Sequence, residues 1–417
     1  HKGTTLRNFN LIKGLAARHE IDLLSFVESA GELSTPSPLH ALCRRIDGVL
    51  VPRRPLATRA RDTLLSAWPD MGLRLWSPVF AGKLQAWLEQ EQYNIVQIEG
   101  IELARYGQIA NRKSQTPALA PKRSADASVA NSRLVFDDHN CEYMLQQRAF
   151  ETDVRQGRRW LGAAYSFIQW QKLRRFEAQV CRAADSVTAV SDADAAALRR
   201  LVASLEVTIV PNGIDLGQFS GFNDPASLHT KHPALDLARL ALVFVGTMDF
   251  RPNVDAVLWF ANEVLPRIVE QEAGAHLYVV GARPHQRLDA LRAEPAITIT
   301  GAVDDVRPYV AAAAVYVVPL RIGGGTRFKI LEAAAARKAM VSTSLGCEGF
   351  PVQDGCELLI ADTPAEFAAA VVALLRDPDR RRQLGQVAYA LAEAFEWGKI
   401  IPRLEAVYAQ CQELRKV

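Results

Sequence analysis

Residues 319–337 read PLRIGGGTRFKILEAAAAR and contain the unit from which the whole chain is built. An apolar run, 315–319, leads into the consecutive glycines Gly323, Gly324 and Gly325, and a helical segment carrying Arg327, Lys329 and Glu332 follows at once. Strand, glycine loop and helix in that order form the repeat of a parallel sheet covered by helices. The glycines leave backbone N–H groups uncovered, here those of Gly324, Gly325 and Thr326. The helix N-terminus adds the positive end of its dipole, so the loop suits an anion such as a diphosphate. Glu332, about two turns into the helix, offers a carboxylate to a ribose diol. Together they describe a nucleotide-sugar site. The other role open to Glu332 is a solvated i, i+3 pair with Lys329, worth roughly a few tenths of a kcal/mol.

The same grammar extends in both directions. Apolar, β-branched runs bounded by polar, Gly or Pro residues are expected as strands at 21–26, 95–98, 134–137, 187–190 and 207–210. A second set follows at 240–245, 276–280, 297–300, 315–319, 340–343 and 358–360. Helical periodicity fills the intervals, as in VDAVLWFANEVLPRI (254–268) and AEFAAAVVALLRD (365–377). The fold class is therefore α/β. The polar stretch from 216 to 236 reads as an interdomain linker, and residues 111–132 read as a surface insertion. The chain opens on a loop and an amphipathic helix that precede a strand. A doubly wound domain places a strand before such a loop, so a first strand on the order of 10–20 residues upstream is expected.

At 417 residues the chain suggests two domains of about 200 residues each. A net charge of +3 gives no case for a nucleic-acid partner. No apolar run reaches the roughly 18 residues that cross a bilayer. The six cysteines are scattered without C-x-x-C spacing, which points to a reduced, cytoplasmic setting with neither a zinc site nor a disulfide framework. No G-x-G-x-x-G follows an early strand, which excludes an NAD-dependent Rossmann oxidoreductase. Asp192-Ala-Asp194 spells the Asp-x-Asp of metal-dependent transferases, but acids in the first turn of a helix are explained by its dipole. No essential metal is expected.

An ordered set of segments carries a family resemblance: KGTTLRN, VTAVSDADAAALRR, IVPNGID, FVGTMDFRPNVDAVLWF, VVGARPHQRLDAL, TGAVDDVRPYVAAAAVYVVPL and GGGTRFKILEA. The chain resembles the family-4 (group 1) retaining glycosyltransferases of the GT-B fold. That resemblance implies two Rossmann-like domains with parallel sheets facing a central cleft, the donor held by the C-terminal domain and the acceptor by the N-terminal one. The expected boundaries are an acceptor domain at 1–216, a linker at 217–238 and a donor domain at 239–396, with a helix at 397–417 returning to the first domain. It further implies front-face attack in which the leaving diphosphate takes the acceptor proton, so that the protein supplies position and charge.

By resemblance, Glu332 is the second glutamate of the Glu-x7-Glu motif and binds the ribose, whereas Gly324 stands where the first glutamate belongs. Thr247 replaces the usual Arg after the first strand of the donor domain, so Arg251, Arg327 and Lys329 are expected to supply the cationic charge, with Asn253 as a helix N-cap. Gly281 and Val303 are expected to end two strands at the ligand-binding edge of the sheet. In the other domain His139 follows a strand end, where similar enzymes carry a His that reaches the transferred sugar. Asp137, Asp138 and Glu142 surround it and are expected to orient it or bind acceptor hydroxyls. Gly3 is expected in a loop near the donor phosphate, with Arg7 on the acceptor side.

Two clusters mix basic and aromatic residues. One is Arg44, Arg45, Arg53, Arg54, Arg59 and Arg61 with Trp68 and Trp76, and the other spans Arg148 to Arg182. They suit a peripheral site on an anionic membrane surface, as a glycan or lipid-linked acceptor would require. The expected activity is sugar transfer from a nucleotide-sugar donor, in bacterial surface-polysaccharide assembly by analogy. The alternative from another class is a catalytically silent nucleotide-sugar-binding protein, favoured by Gly324, by Thr247, and by Arg337 and Ala339 where the family has Gly and Pro.

Overall fold

The computed structural model describes residues 3–110, 132–155, 160–222, 240–323 and 328–413. The chain divides into two compact units, one formed by Gly3–Pro211 with Ile400–Val417 and the other by Asn212–Lys399.

In the first unit, β1 (Asp22–Val27) pairs in parallel with β2 (Arg45–Leu50). A separate parallel sheet runs in the order β3 (Ile95–Glu99), β4 (Arg133–Asp138), β5 (Ser186–Ala189), β6 (Val207–Ile209). The sequence pattern had not marked β2, because RIDGVL offers only three apolar positions and begins in a basic run. Helix α1 (Gly3–Leu15) includes Gly3, which therefore opens a helix and does not lie in the expected loop. The long pair α2 (Glu142–Arg155) and α3 (Trp160–Ala183) packs side by side, and α4 (Asp192–Leu201) starts on Ser191, whose Oγ accepts from the Asp194 N–H.

The second unit is one six-stranded parallel sheet in the order β12 (Leu359–Ile360), β11 (Met340–Ser342), β10 (Val315–Val318), β7 (Leu240–Val245), β8 (Ala275–Val280), β9 (Ile297–Gly301). β8 and β10 are buried along their whole length, which is why their sequences, AHLYVV and VYVV, carry no alternation. The chain builds β7–β8–β9 to one side and then returns to lay β10 against the other side of β7. The strand order therefore reverses between β7 and β10, where open α/β sheets place ligands beyond the strand ends. Helix α5 (Arg251–Trp259) follows β7, and helix α6 (Phe328–Ala335) follows β10.

Arg337 closes α6 in a left-handed conformation, φ +54°. Its N–H reaches the Ala334 carbonyl and the Lys338 N–H reaches that of Ala333, the ending for which glycine is preferred. The Arg337 guanidinium lies 3.8 Å from the centre of the Tyr389 ring, a contact that a glycine cannot make. The last helix, α7 (Trp397–Glu413), begins in the second unit and ends in the first. There Val407 and Cys411 bury against Val135, Glu405 pairs with Arg18, and the Tyr408 hydroxyl donates to Gln97.

Candidate active site

The carboxyl edge of β7 gathers one set of groups. Gly281, immediately after β8, has φ +150°, and a Cβ there would stand 1.8 Å from the Gly246 carbonyl oxygen. Only a hydrogen on Gly281 lets the two loops close. Gly246 in turn leaves room for Asn253: a Cβ on Gly246 would lie 2.6 Å from the amide nitrogen. Asn253 donates to the Thr247 carbonyl (2.9 Å) and accepts from the Lys329 ammonium (3.2 Å). Lys329 also sits 4.9 Å above the Phe244 ring. The ammonium is thereby drawn from α6 to the edge of β7, at the reversal of strand order. Glu332, one turn further along α6, is half-buried. Burial raises its carboxyl above the ordinary range, and Lys329 acts in the opposite direction.

Several expected placements change. Asn253 is not the N-cap of its helix: Phe250 holds that place, and the Asn253 side chain aims Lys329. Arg251 is exposed at the first helical position. β9 stops at Gly301, so Val303 lies two residues past it, half-buried against the core. Gly323 takes φ +109°, open to glycine alone. Gly324, Gly325, Thr326 and Arg327 lie outside the described residues.

In the first unit the ends of β3 and β4 carry the chemistry. Consecutive strand residues point to opposite faces, so Asp137 and Asp138 part company. Asp137 is fully buried, and Arg7 reaches it through Nε (2.9 Å) and Nη2 (3.0 Å) while also donating to the Val210 and Pro211 carbonyls. Thr188 adds a hydroxyl at 2.5 Å. Burial pushes Asp137 upward, but the Arg7 guanidinium outweighs it and holds the carboxyl below its ordinary value. Arg7 is thus a structural cation, 1% exposed, and not the acceptor contact expected from sequence.

His139 follows directly, half-buried, with its ring against Gly100. Its Nδ1 stands 3.8 Å from Glu99 and has no hydrogen-bond partner among the described residues. Burial lowers its pKa, which favours the neutral imidazole, while Asp137 acts in the opposite direction. Glu99 lies beside Asp137 in register, and burial, reinforced by Asp137, raises its carboxyl.

Asp138 faces the other way and is fully buried, so it cannot meet an acceptor hydroxyl as expected. Glu142, the first residue of α2, is half-buried and is the acid of this group with solvent access. Burial, then Glu177 and Glu102, push it up to about 8. Glu177 was missed from sequence. Its carboxylate accepts from the Glu142 and Tyr143 N–H groups at 2.9 and 3.0 Å and caps α2.

Among the described residues, two groups of ligand-type side chains lie within 4.8 Å of one another: Glu99, Asp137 and His139; and Asp138, Cys141 and Glu177. In the first, Asp137 is already committed to Arg7 and Thr188; in the second, Glu177 is committed to two backbone N–H groups.

The expected basic surface is also rearranged. Arg44 pairs with Asp22, Arg54 with Asp62 and Asp70, and Arg59 with Asp70. Trp68 and Trp76 pack into the core with the Arg105 guanidinium 4.7 and 4.1 Å from their rings. Arg158 and Arg159 lie outside the described residues. The most exposed large apolar side chains among the described residues are Leu56, Leu64 and Leu65 of helix Leu56–Leu65 and Trp160 at the start of α3, each at least 74% exposed. No helix among the described residues is long and apolar enough to cross a membrane.

Two parallel α/β units, one with a cation and a carboxylate at its strand-order reversal and the other with a histidine at a strand end, belong to one class: the GT-B fold. Residues 2–213 match the family described as "Glycosyl transferase 4-like domain", and residues 239–377 the family described as "Glycosyl transferases group 1". The chain belongs to this glycosyltransferase family. Among curated proteins it is similar to an "Uncharacterized 44.6 kDa protein in cps region" of Klebsiella pneumoniae, at 23% identity over 36% of this chain and 41% of that protein. It is also similar to the D-inositol 3-phosphate glycosyltransferase of Kineococcus radiotolerans, at 27% identity over 57% of this chain and 60% of that one. The chain therefore spans about half the length of the curated relatives it matches. Among solved structures, Anabaena Alr3699/HepE in complex with UDP and glucose superposes with a TM-score of 0.65, at 15% identity over 98% of this chain and 96% of that one.

Proposed function

We propose that this chain is a retaining, metal-independent glycosyltransferase that moves a sugar from a nucleoside-diphosphate sugar to a glycan or lipid-linked acceptor in bacterial surface-polysaccharide assembly. The observation that carries the reading is the Lys329 ammonium, drawn by Asn253 to the strand edge one turn from Glu332. A cation there meets the departing diphosphate and the carboxylate takes the ribose hydroxyls. The anomeric C–O bond to the diphosphate breaks, the acceptor oxygen takes its place, and the acceptor proton passes to the diphosphate. The match to a cps-region protein, and the UDP and glucose held by the Anabaena protein, support the substrate class. Incubation with UDP-, GDP-, ADP- and dTDP-sugars is expected to raise Tm with one base and to release the nucleoside diphosphate slowly, unaffected by EDTA. Glu332→Gln is expected to abolish both signals. A Tm shift without release identifies a silent binding protein, and neither signal with any donor removes the reading.

The proposed setting is the cytoplasmic face of a membrane. Leu56, Leu64 and Leu65 share their helix with Arg61, 66% exposed and paired with Asp62 at 3.1 Å, and this exposed apolar and basic set suits an anionic interface. Flotation with vesicles containing anionic lipid is expected to carry the protein, and Leu64→Ser with Leu65→Ser is expected to reduce the bound fraction at least fivefold (about 0.8 kcal/mol per buried CH₂ is at stake). Equal recovery of both proteins would argue against the surface.

A further inference from the structure

Asp138 is fully buried, and neither of its oxygens has an N–H or O–H donor among the described residues. Such a carboxylate is costly without partners. The groups that act on it are other acids. Glu177 comes from α3, Asp194 from the first turn of α4, Glu142 from the start of α2, and Asp137 from its own strand. Cys141 and Glu177 approach it within 4.8 Å, and Cys181 of α3 lies close enough to feel its charge. A second negative charge has nothing to rest on here, so one acid of the pair must keep its proton. The donor that Asp138 lacks is then its own hydroxyl, directed at Glu177.

We propose that Asp138 is a carboxylic acid in the folded protein and that its proton ties the end of β4 to Glu177, making the pair a positioning latch for the His139 turn. Glu177 already accepts from the Glu142 and Tyr143 N–H groups, so this one side chain grips both ends of the turn from 139 to 141. Neither acid touches substrate. Their work is to hold His139 and Glu142 in register, and that functional half rests on the reading above; the protonation half does not.

The sign of the pH effect follows from linkage. Burial, with the neighbouring acids, raises Asp138 well above the ordinary carboxylate range, so the folded state holds a proton that the unfolded chain has released. Stability is complete below that ordinary range and falls as pH rises toward the folded value. Asp138→Asn replaces the acid hydroxyl by an amide donor that cannot ionise. The infrared difference spectrum, wild type minus Asp138→Asn, is expected to show a protonated carboxyl band at neutral pH. The decline of wild-type Tm with rising pH is expected to flatten in the variant. The alkaline limb of donor hydrolysis is expected to move outward with it, whereas Glu177→Ala is expected to lower kcat roughly tenfold or more with donor KM unchanged. Absence of the carboxyl band, a Tm–pH profile identical in Asp138→Asn, or a wild-type Tm lowered by EDTA would overturn the latch. Loss of hydrolysis in every protein with the band intact would remove the enzymatic reading alone.

Discussion

Arg7→Met is expected to lower stability by about 3–5 kcal/mol, the cost of leaving one partner of a buried ion pair without the other. Asp137 has no access to water, and its remaining described donor is the Thr188 hydroxyl. The carbonyls of Val210 and Pro211 lose their donor in the same change. Thermal unfolding is expected to show the loss, and Asp137→Asn in the same chain is expected to restore much of it. The pH dependence has a definite sign. Asp137 sits below its ordinary value, so the pair contributes fully above the unfolded pKa and loses its contribution as pH falls through the folded one. In Arg7→Met the carboxyl takes a proton instead, so the variant is expected to close part of the gap to wild type in acid. A loss under 1 kcal/mol, or no recovery in the double variant, would show that the guanidinium is held for some other reason.

Lys329→Ala is expected to lower kcat for donor turnover about 100-fold, or about 2.7 kcal/mol of transition-state stabilisation. The side chain is half-buried on a helix whose other charged residue is Glu332, so the fold is expected to survive, with Tm within a few degrees. Lys329→Arg is expected to recover only part of the rate, because a planar fork cannot reproduce a point charge held between the Asn253 oxygen and the Phe244 ring. Turnover within twofold of wild type in Lys329→Ala would place the diphosphate charge elsewhere.

The strands of the second unit were legible because each is buried on both faces and bounded by Gly, Pro or polar residues. The strand and the helix that flank the glycine loop were legible for the same reason, whereas Gly324 and Gly325 lie outside the described residues. Contacts that close only in three dimensions were harder. Nothing local to PNVDA tells that Asn253 reaches across to Lys329, and the capping preference of Asn pointed to the wrong partner. Arg7 and Glu177 left a trace that chemical habit overrode. Arg7 falls on the stripe of Leu11 and Leu15, and Glu177 on that of Leu173, Phe176 and Cys181, so helical period alone placed both charges inward. A charge on an apolar stripe is read as a ligand contact only if its partner is out of sight. Here the partners, Asp137 and Asp138, were adjacent in sequence and invisible as opposites because strand alternation sends them to different faces.

The closing helix sets an order on biogenesis. Val407 and Cys411 complete a patch of core around Val135, and Glu405 answers Arg18 from the far end of the chain. The half synthesised first therefore waits on the ribosome with that patch open until the final helix emerges. Contacts between residues 387 positions apart, such as Arg18 and Glu405, form late and slowly. Until then the patch around Val135 is apolar surface that α7 has yet to cover.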